Sequence, residues 1–132
     1  MPVKNDPGIK DDGWHFLSVN KNGGDMEKVR IFVNPGICGF DCKVVAETSG
    51  KRKARVEIAE SGCAMIRQYS EDLPDLGLQD IFVPLTKNVI FIAAEKAGCH
   101  LACPVPVAVV KACEVVLGLA IPKDVFLRVE KR

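Results

Sequence analysis

Three short segments of alternating apolar and polar residues, each closed by turn-forming residues, restrict the fold of this chain more than any other feature. Residues 28–34 place Val29, Ile31 and Val33 on one face and stop at Pro35-Gly36. Residues 42–48 and 53–59 repeat the pattern with Val44 and Ala46, then Ala54, Val56 and Ile58, about a turn at Ser49-Gly50. A period of two sends successive side chains to opposite faces of a strand. The segments therefore predict three antiparallel strands with one apolar face to be covered.

The cover is predicted to be helical. After Ser61, an N-cap residue, Cys63, Ile66, Tyr69 or Ser70, and Leu73 recur at helical spacing until Pro74 forbids continuation. Residues 76–85 read as a connector with a short helical turn. Thr86 then caps a second helix that closes on Gly98, with residues 89–92 open to a strand reading instead. Pro104 and Pro106 suit the first turn of a third helix running to Gly118, and Lys111 and Glu114 give it one thin polar stripe, so it is expected to lie buried across the sheet. Past Pro122, the alternation of Val125, Leu127 and Val129 predicts a last strand. The expected order is β-β-β-α-α-α-β: an α+β fold with a four-stranded, mostly antiparallel sheet and helices packed on one face.

Residues 1–25 differ from this pattern. They carry Pro2, Pro7, Gly8, Gly13, Gly23 and Gly24 with few aliphatics and read as a leader, an extension or a cloning remnant, with Met26 open as a native start and residues 26–132 as a single domain. The one apolar knot, Trp14, Phe16, Leu17 and Val19, leaves an additional strand open.

Charge and composition exclude several roles. Eighteen Lys and Arg against seventeen Asp and Glu leave a net charge of +1, so no overall field favours nucleic acid or an anionic membrane. Apolar residues at 48% and charged residues at 27% support a packed core rather than disorder. The longest uncharged stretch, residues 97–110, contains His100, Pro104 and Pro106 and is shorter than the roughly 20 apolar residues of a spanning helix. No apolar run near the start resembles a signal peptide, and the expected location is the cytoplasm. In that compartment the cysteines, Cys38, Cys42, Cys63, Cys99, Cys103 and Cys113, are expected as free thiols, redox thiols or metal ligands rather than disulfides.

The strand order makes a geometric statement about them. Each antiparallel element reverses the chain between the two ends of the sheet. Cys38 lies between the first two strands, Cys42 opens the second, and Cys63 opens the first helix after the third strand, all at one end. The first helix leaves that end and the second returns, delivering Cys99, His100 and Cys103. Five thiols are expected together. Cys113 is nine residues into the last helix, about 14 Å along its axis at 1.5 Å per residue, and is assigned to the core.

Four thiolates from loops and helix starts make the usual cage for zinc or an iron–sulfur cluster, and a Cys-Pro pair also ends a common ferredoxin run. The spacings Cys38 to Cys42 and Cys99 to Cys103 are C-x3-C and carry no specific motif. Helix N-termini beside Cys63 and Cys103 are expected to favour thiolate. Gly36 and Gly39 are expected to permit a bend that turns Cys38 inward.

The chain resembles an uncharacterised family of small proteins from anaerobic microbes. The resemblance runs from Met26 onward and rests on Gly36-Ile37-Cys38-Gly39-Phe40, Glu60-Ser61-Gly62-Cys63, Cys99-His100-Leu101-Ala102-Cys103-Pro104-Val105-Pro106 and residues 118–125, Cys-Pro-Val-Pro being its most specific part. It implies no activity. It does imply that Cys38, Cys63, Cys99 and Cys103 are the pattern cysteines, with Cys42 and Cys113 as extras, and an anaerobic setting in which oxygen-labile clusters survive.

The expected function is a small metal-binding module whose metal residues are Cys38, Cys63, Cys99 and Cys103. Its cofactor is an iron–sulfur cluster or, alternatively, zinc, serving electron transfer, cluster delivery or sensing with a protein or redox partner. Two other readings stand beside it: a thiol redox or transfer enzyme using Cys99 and Cys103, and a structural or partner-binding protein without metal. With His15 in the leader and His100 the other histidine, no Ser-His-Asp arrangement is readable, and Asp41 and Glu60 are the carboxylates near the cysteines. The basic cluster Lys51, Arg52, Lys53 and Arg55 is expected as a solvated hairpin tip.

Overall fold

The computed structural model describes residues 27–132; the leader and its apolar knot lie outside the described residues. The three alternating segments form β1 (Lys28–Val33), β2 (Cys42–Thr48) and β3 (Lys53–Ala59). They pair antiparallel, with Val29 opposite Ala46, Ile31 opposite Val44, Val44 opposite Ile58 and Ala46 opposite Val56. This register stacks Val29, Ile31, Val33, Val44, Ala46, Ala54, Val56 and Ile58 on one face, as a period of two requires. The reverse face carries a Lys28–Glu47 ion pair at 3.7 Å and the Lys43 ammonium 5.8 Å from the centre of the Phe32 ring.

Three helices cover the apolar face: α1 (Ala64–Asp72), α2 (Val89–Lys96) and α3 (Val105–Val116). In α3, Val105, Ala108, Val109, Ala112, Cys113 and Val116 are buried, the i, i+3, i+4 stripe of a helix lying on a sheet. It crosses β1, β2 and β3, while α1 packs on β3 and α2 joins the other two helices. Two short 3-10 turns, Leu78–Phe82 and Leu85–Lys87, connect α1 to α2.

Boundaries shift where side chains compete for the caps. Cys63, not Ser61, is the N-cap of α1; the Ser61 hydroxyl instead accepts the Cys63 N–H at 3.1 Å. Asn88 replaces Thr86 as the cap of α2. Its Oδ1 accepts the Ile90 N–H at 2.9 Å and its Nδ2 donates to the carbonyls of Asp80 and Val83. Residues 89–92 are helical, so the chain direction on which the cysteine convergence depends is the helical one.

The sheet has four antiparallel strands and the fold is α+β, but its fourth strand is not the expected one. It is β4 (Leu76–Gly77), paired with β3 through Ala54 opposite Leu76, and the element order is β-β-β-α-β-α-α. Leu76 is fully buried and fixes this short strand despite its lack of alternation. Residues 121–132 form no strand, and Val125, Leu127 and Val129 are 57%, 89% and 95% exposed. Alternation marks a segment able to pair, and the place beside Ala54 is taken by Leu76.

Candidate functional site: a cluster of thiols at one end of the sheet

The loop from β1 to β2 turns tightly. The Asn34 side chain accepts the Gly36 N–H at 3.1 Å, Gly36 accepts the Gly39 N–H at 2.9 Å, and both glycines have positive φ, +90° and +74°. This conformation suits glycine because a Cβ would be strained there. The turn leaves Cys38 exposed at its tip rather than turned inward as expected, since the bend that admits Gly36 and Gly39 points the intervening residues at solvent. Phe40 folds the other way: its ring lies against Gly62, where a Cβ would come within 3.0 Å of Phe40 Cδ1. The Gly-Ile-Cys-Gly-Phe loop thus leans on the Ser61-Gly62-Cys63 segment.

That second segment is set by β3. Glu60 leaves the strand with φ of 62°, a conformation rare outside glycine, and its carboxylate is held 3.0 Å from Lys43 Nζ. The reversal delivers Cys63 to the start of α1. The third segment follows from the end of α2, where Cys99 N–H bonds the Ala94 carbonyl and Gly98 N–H bonds that of Glu95, a Schellman motif centred on Gly98 at φ +82°. Gly98 also sits against Met65 of α1, its Cβ position 3.7 Å from the Met65 sulfur, so the end of α2 and the start of α1 are neighbours. The turn 100–103 closes with the Cys103 N–H on the His100 carbonyl, and Pro104 caps α3.

The structure therefore brings Cys38, Cys42, Cys63, Cys99 and Cys103 to one end of the sheet, where Cys38, Cys63 and Cys103 act electrostatically on Cys42, and Cys63 and Cys103 on Cys99. All six cysteines are free thiols. Cys63, Cys99 and Cys103 are partly buried against the core; Cys42 is buried on the apolar face of β2, and Cys113 is fully buried in α3. Among the described residues no three His, Cys, Asp or Glu side chains stand close enough to grip a metal ion as they are placed.

Thiol acidity runs against the helix-start expectation. The Val105 N–H does pull Cys103 toward thiolate, but burial outweighs it and its pKa is raised, with Cys38 and Cys63 pushing the same way. Burial, then Cys103 and Cys63, pushes Cys99 up to about 11. Burial, then Cys103, Asp41, Cys63 and Cys38, pushes Cys42 up to about 12. A partly buried sulfur loses more by desolvation than one N–H returns. Each thiolate also opposes its neighbours, so several coexist only beside a cation.

His100 is exposed, and Glu60 is tied to Lys43. The basic residues lie at the far hairpin tip, where Arg55 pairs with Asp75 at 3.5 Å. Sequence reasoning did not find the Phe40–Gly62 and Met65–Gly98 contacts; the glycines beside Cys63 and Cys99 were their only trace.

Fold and site together define a class: a small α+β domain with a thiol cluster at the end where strands hand over to helices. The chain belongs to DUF6951, a family of unknown function, matching it over residues 29–129. No curated protein and no solved structure matches it. Among the described residues no helix is long and apolar enough to cross a membrane.

Proposed function

We propose that the thiol cluster is a metal centre in which Cys38, Cys63, Cys99 and Cys103 hold an iron–sulfur cluster, with zinc as the alternative ion, and that the domain serves electron transfer, cluster delivery or sensing in the cytoplasm. The observation that carries this reading is the mutual influence of the four sulfurs, which come from three separate segments. Cys99 feels Cys103 and Cys63, and Cys103 feels Cys38 and Cys63. A bound cation reverses the sign of that interaction, turning mutual opposition into four ionic bonds. Closing the cage requires the sulfurs to draw together, and Cys38 lies in an exposed turn.

The raised pKa values count against a thiol-exchange enzyme. An attacking cysteine is activated by a lowered pKa, and Cys99 and Cys103 are shifted the other way. Cys42 stays outside the proposed ligand set because it faces the core with Val44 and Ala46, where burial keeps it protonated.

Purification without oxygen tests the proposal. An iron–sulfur centre gives brown protein absorbing near roughly 400 nm with about one sulfide per iron. Zinc gives colourless protein with about one metal per chain and sulfur ligands at roughly 2.3 Å. Protein that stays metal-free after anaerobic reconstitution with iron and sulfide, and after equilibration with zinc, contradicts both.

A further inference from the structure

β1 is the outer strand of the sheet: it pairs with β2 on one side, and among the described residues no strand lies on the other. Its six residues run without a bulge or a proline, and Ile31, at the middle of its apolar face, is only half-buried. An outer edge of that kind is a template for another strand.

A segment suited to it is present on the same chain. The chain leaves α3 by a fixed route, because the Glu114 carbonyl accepts the N–H groups of Leu119 at 2.7 Å and Ala120 at 3.1 Å. Beyond Pro122, the arm 123–130 alternates Val125, Leu127 and Val129 with Phe126, Arg128 and Glu130, and Arg128 reaches Glu130 at 4.0 Å. Residues two apart share a side in an extended strand. In a single copy this arm is unpaired, and its apolar residues are exposed.

Two registers set Val125, Leu127 and Val129 against the apolar row Val29, Ile31 and Val33, and charge decides between them. The antiparallel one brings Arg128 opposite Arg30. The parallel one places Val125 beside Val29, Leu127 beside Ile31 and Val129 beside Val33, and it brings Asp124 to Lys28 and the Phe126 ring to Arg30. Opposite charges and cation–ring pairs across a sheet are favourable, whereas like charges directly opposite are not.

We propose that the arm 123–130 adds in parallel to the outer edge of β1 in a second copy of this chain, and that the exchange is reciprocal about a twofold axis. Reciprocity closes the assembly as a dimer, because each copy supplies one arm and one edge. The core of each copy is complete without the arm, so the exchange governs association and leaves the stability of dilute, monomeric protein unchanged.

Sedimentation velocity on the reduced, chelator-treated full-length chain tests this independently of the metal centre. The parent should pass from monomer to dimer as its concentration rises to about 100 micromolar, a moderate affinity suited to two short arms. Leu127→Asp puts a charge into the apolar row at a position exposed in the single copy, and it should stay monomeric over that range, as should the chain lacking residues 123–132. Asp124→Lys should weaken the dimer several-fold by meeting Lys28. Amide hydrogen exchange in residues 125–129 should slow in step with dimer formation. A parent that remains monomeric, a Leu127→Asp or Asp124→Lys dimer as tight as the parent, or an arm already protected in the monomer by pairing within one copy overturns the proposal.

Discussion

At the scale of single residues, the six cysteines separate by what surrounds them. Cys113 is fully buried in α3, and burial, then Glu114 and Asp80, pushes it up to about 12 from an ordinary 9.0. It is a small apolar side chain in this fold. Cys113→Ala should lower stability by about 1 kcal/mol, measured by denaturant unfolding, and leave metal content unchanged. The raised pKa also fixes a sign. A thiol whose folded pKa lies above its unfolded value contributes stability that is complete below about pH 9 and lost as the pH climbs toward 12. The metal-free protein should therefore weaken over that alkaline window, and Cys113→Ala should flatten the decline. Gly62 offers a second residue-level test, because a methyl there meets Phe40 at 3.0 Å. Gly62→Ala should displace the Phe40 ring and with it the Cys38 turn, reducing metal affinity severalfold while costing only about 1 kcal/mol in stability. An unaltered affinity would show that Phe40 does not set the position of Cys38.

Among the elements, the strands were the most legible part. Their apolar residues alternate over five to seven positions, turn residues bound them, and the observed register is the one that keeps Val29, Val44, Ala46, Val56 and Ile58 on one face. Helix caps were less legible because Ser61, Thr86 and Asn88 are all able to cap, and tertiary contacts chose among them. Asn88 won by bonding the Asp80 and Val83 carbonyls as well as the Ile90 N–H. Asn88→Ala should accordingly cost about 2 kcal/mol, more than a typical cap, with loss of helical signal from α2. A cost below about 0.5 kcal/mol, typical of a neutral surface change, would mean the three bonds are replaced by water. The last strand was expected at residues 125–129, whereas the fourth strand is Leu76–Gly77, two buried residues paired with β3.

Considered as a whole molecule, the domain holds its core between α3 and the sheet, and residues 121–132 stand outside it. Deleting residues 123–132 should leave the melting temperature within about 2 °C of the full chain, since exposed termini contribute little to folding. A larger fall would place the tail in the folding unit. The convergence of five thiols was readable because it depends only on the direction of each element. Their acidities were not, because burial of Cys99 and Cys103 against the core is a property of packing that spacing does not encode. The central claim is that one metal centre at this end uses four of the six sulfurs. Its most direct test is metal content after anaerobic reconstitution of six single Cys→Ser variants, each compared with the parent chain. Loss of metal from Cys38→Ser, Cys63→Ser, Cys99→Ser and Cys103→Ser, with parental content in Cys42→Ser and Cys113→Ser, is the predicted result. Parental metal content in any of the first four, or its loss in Cys113→Ser, would contradict the assignment.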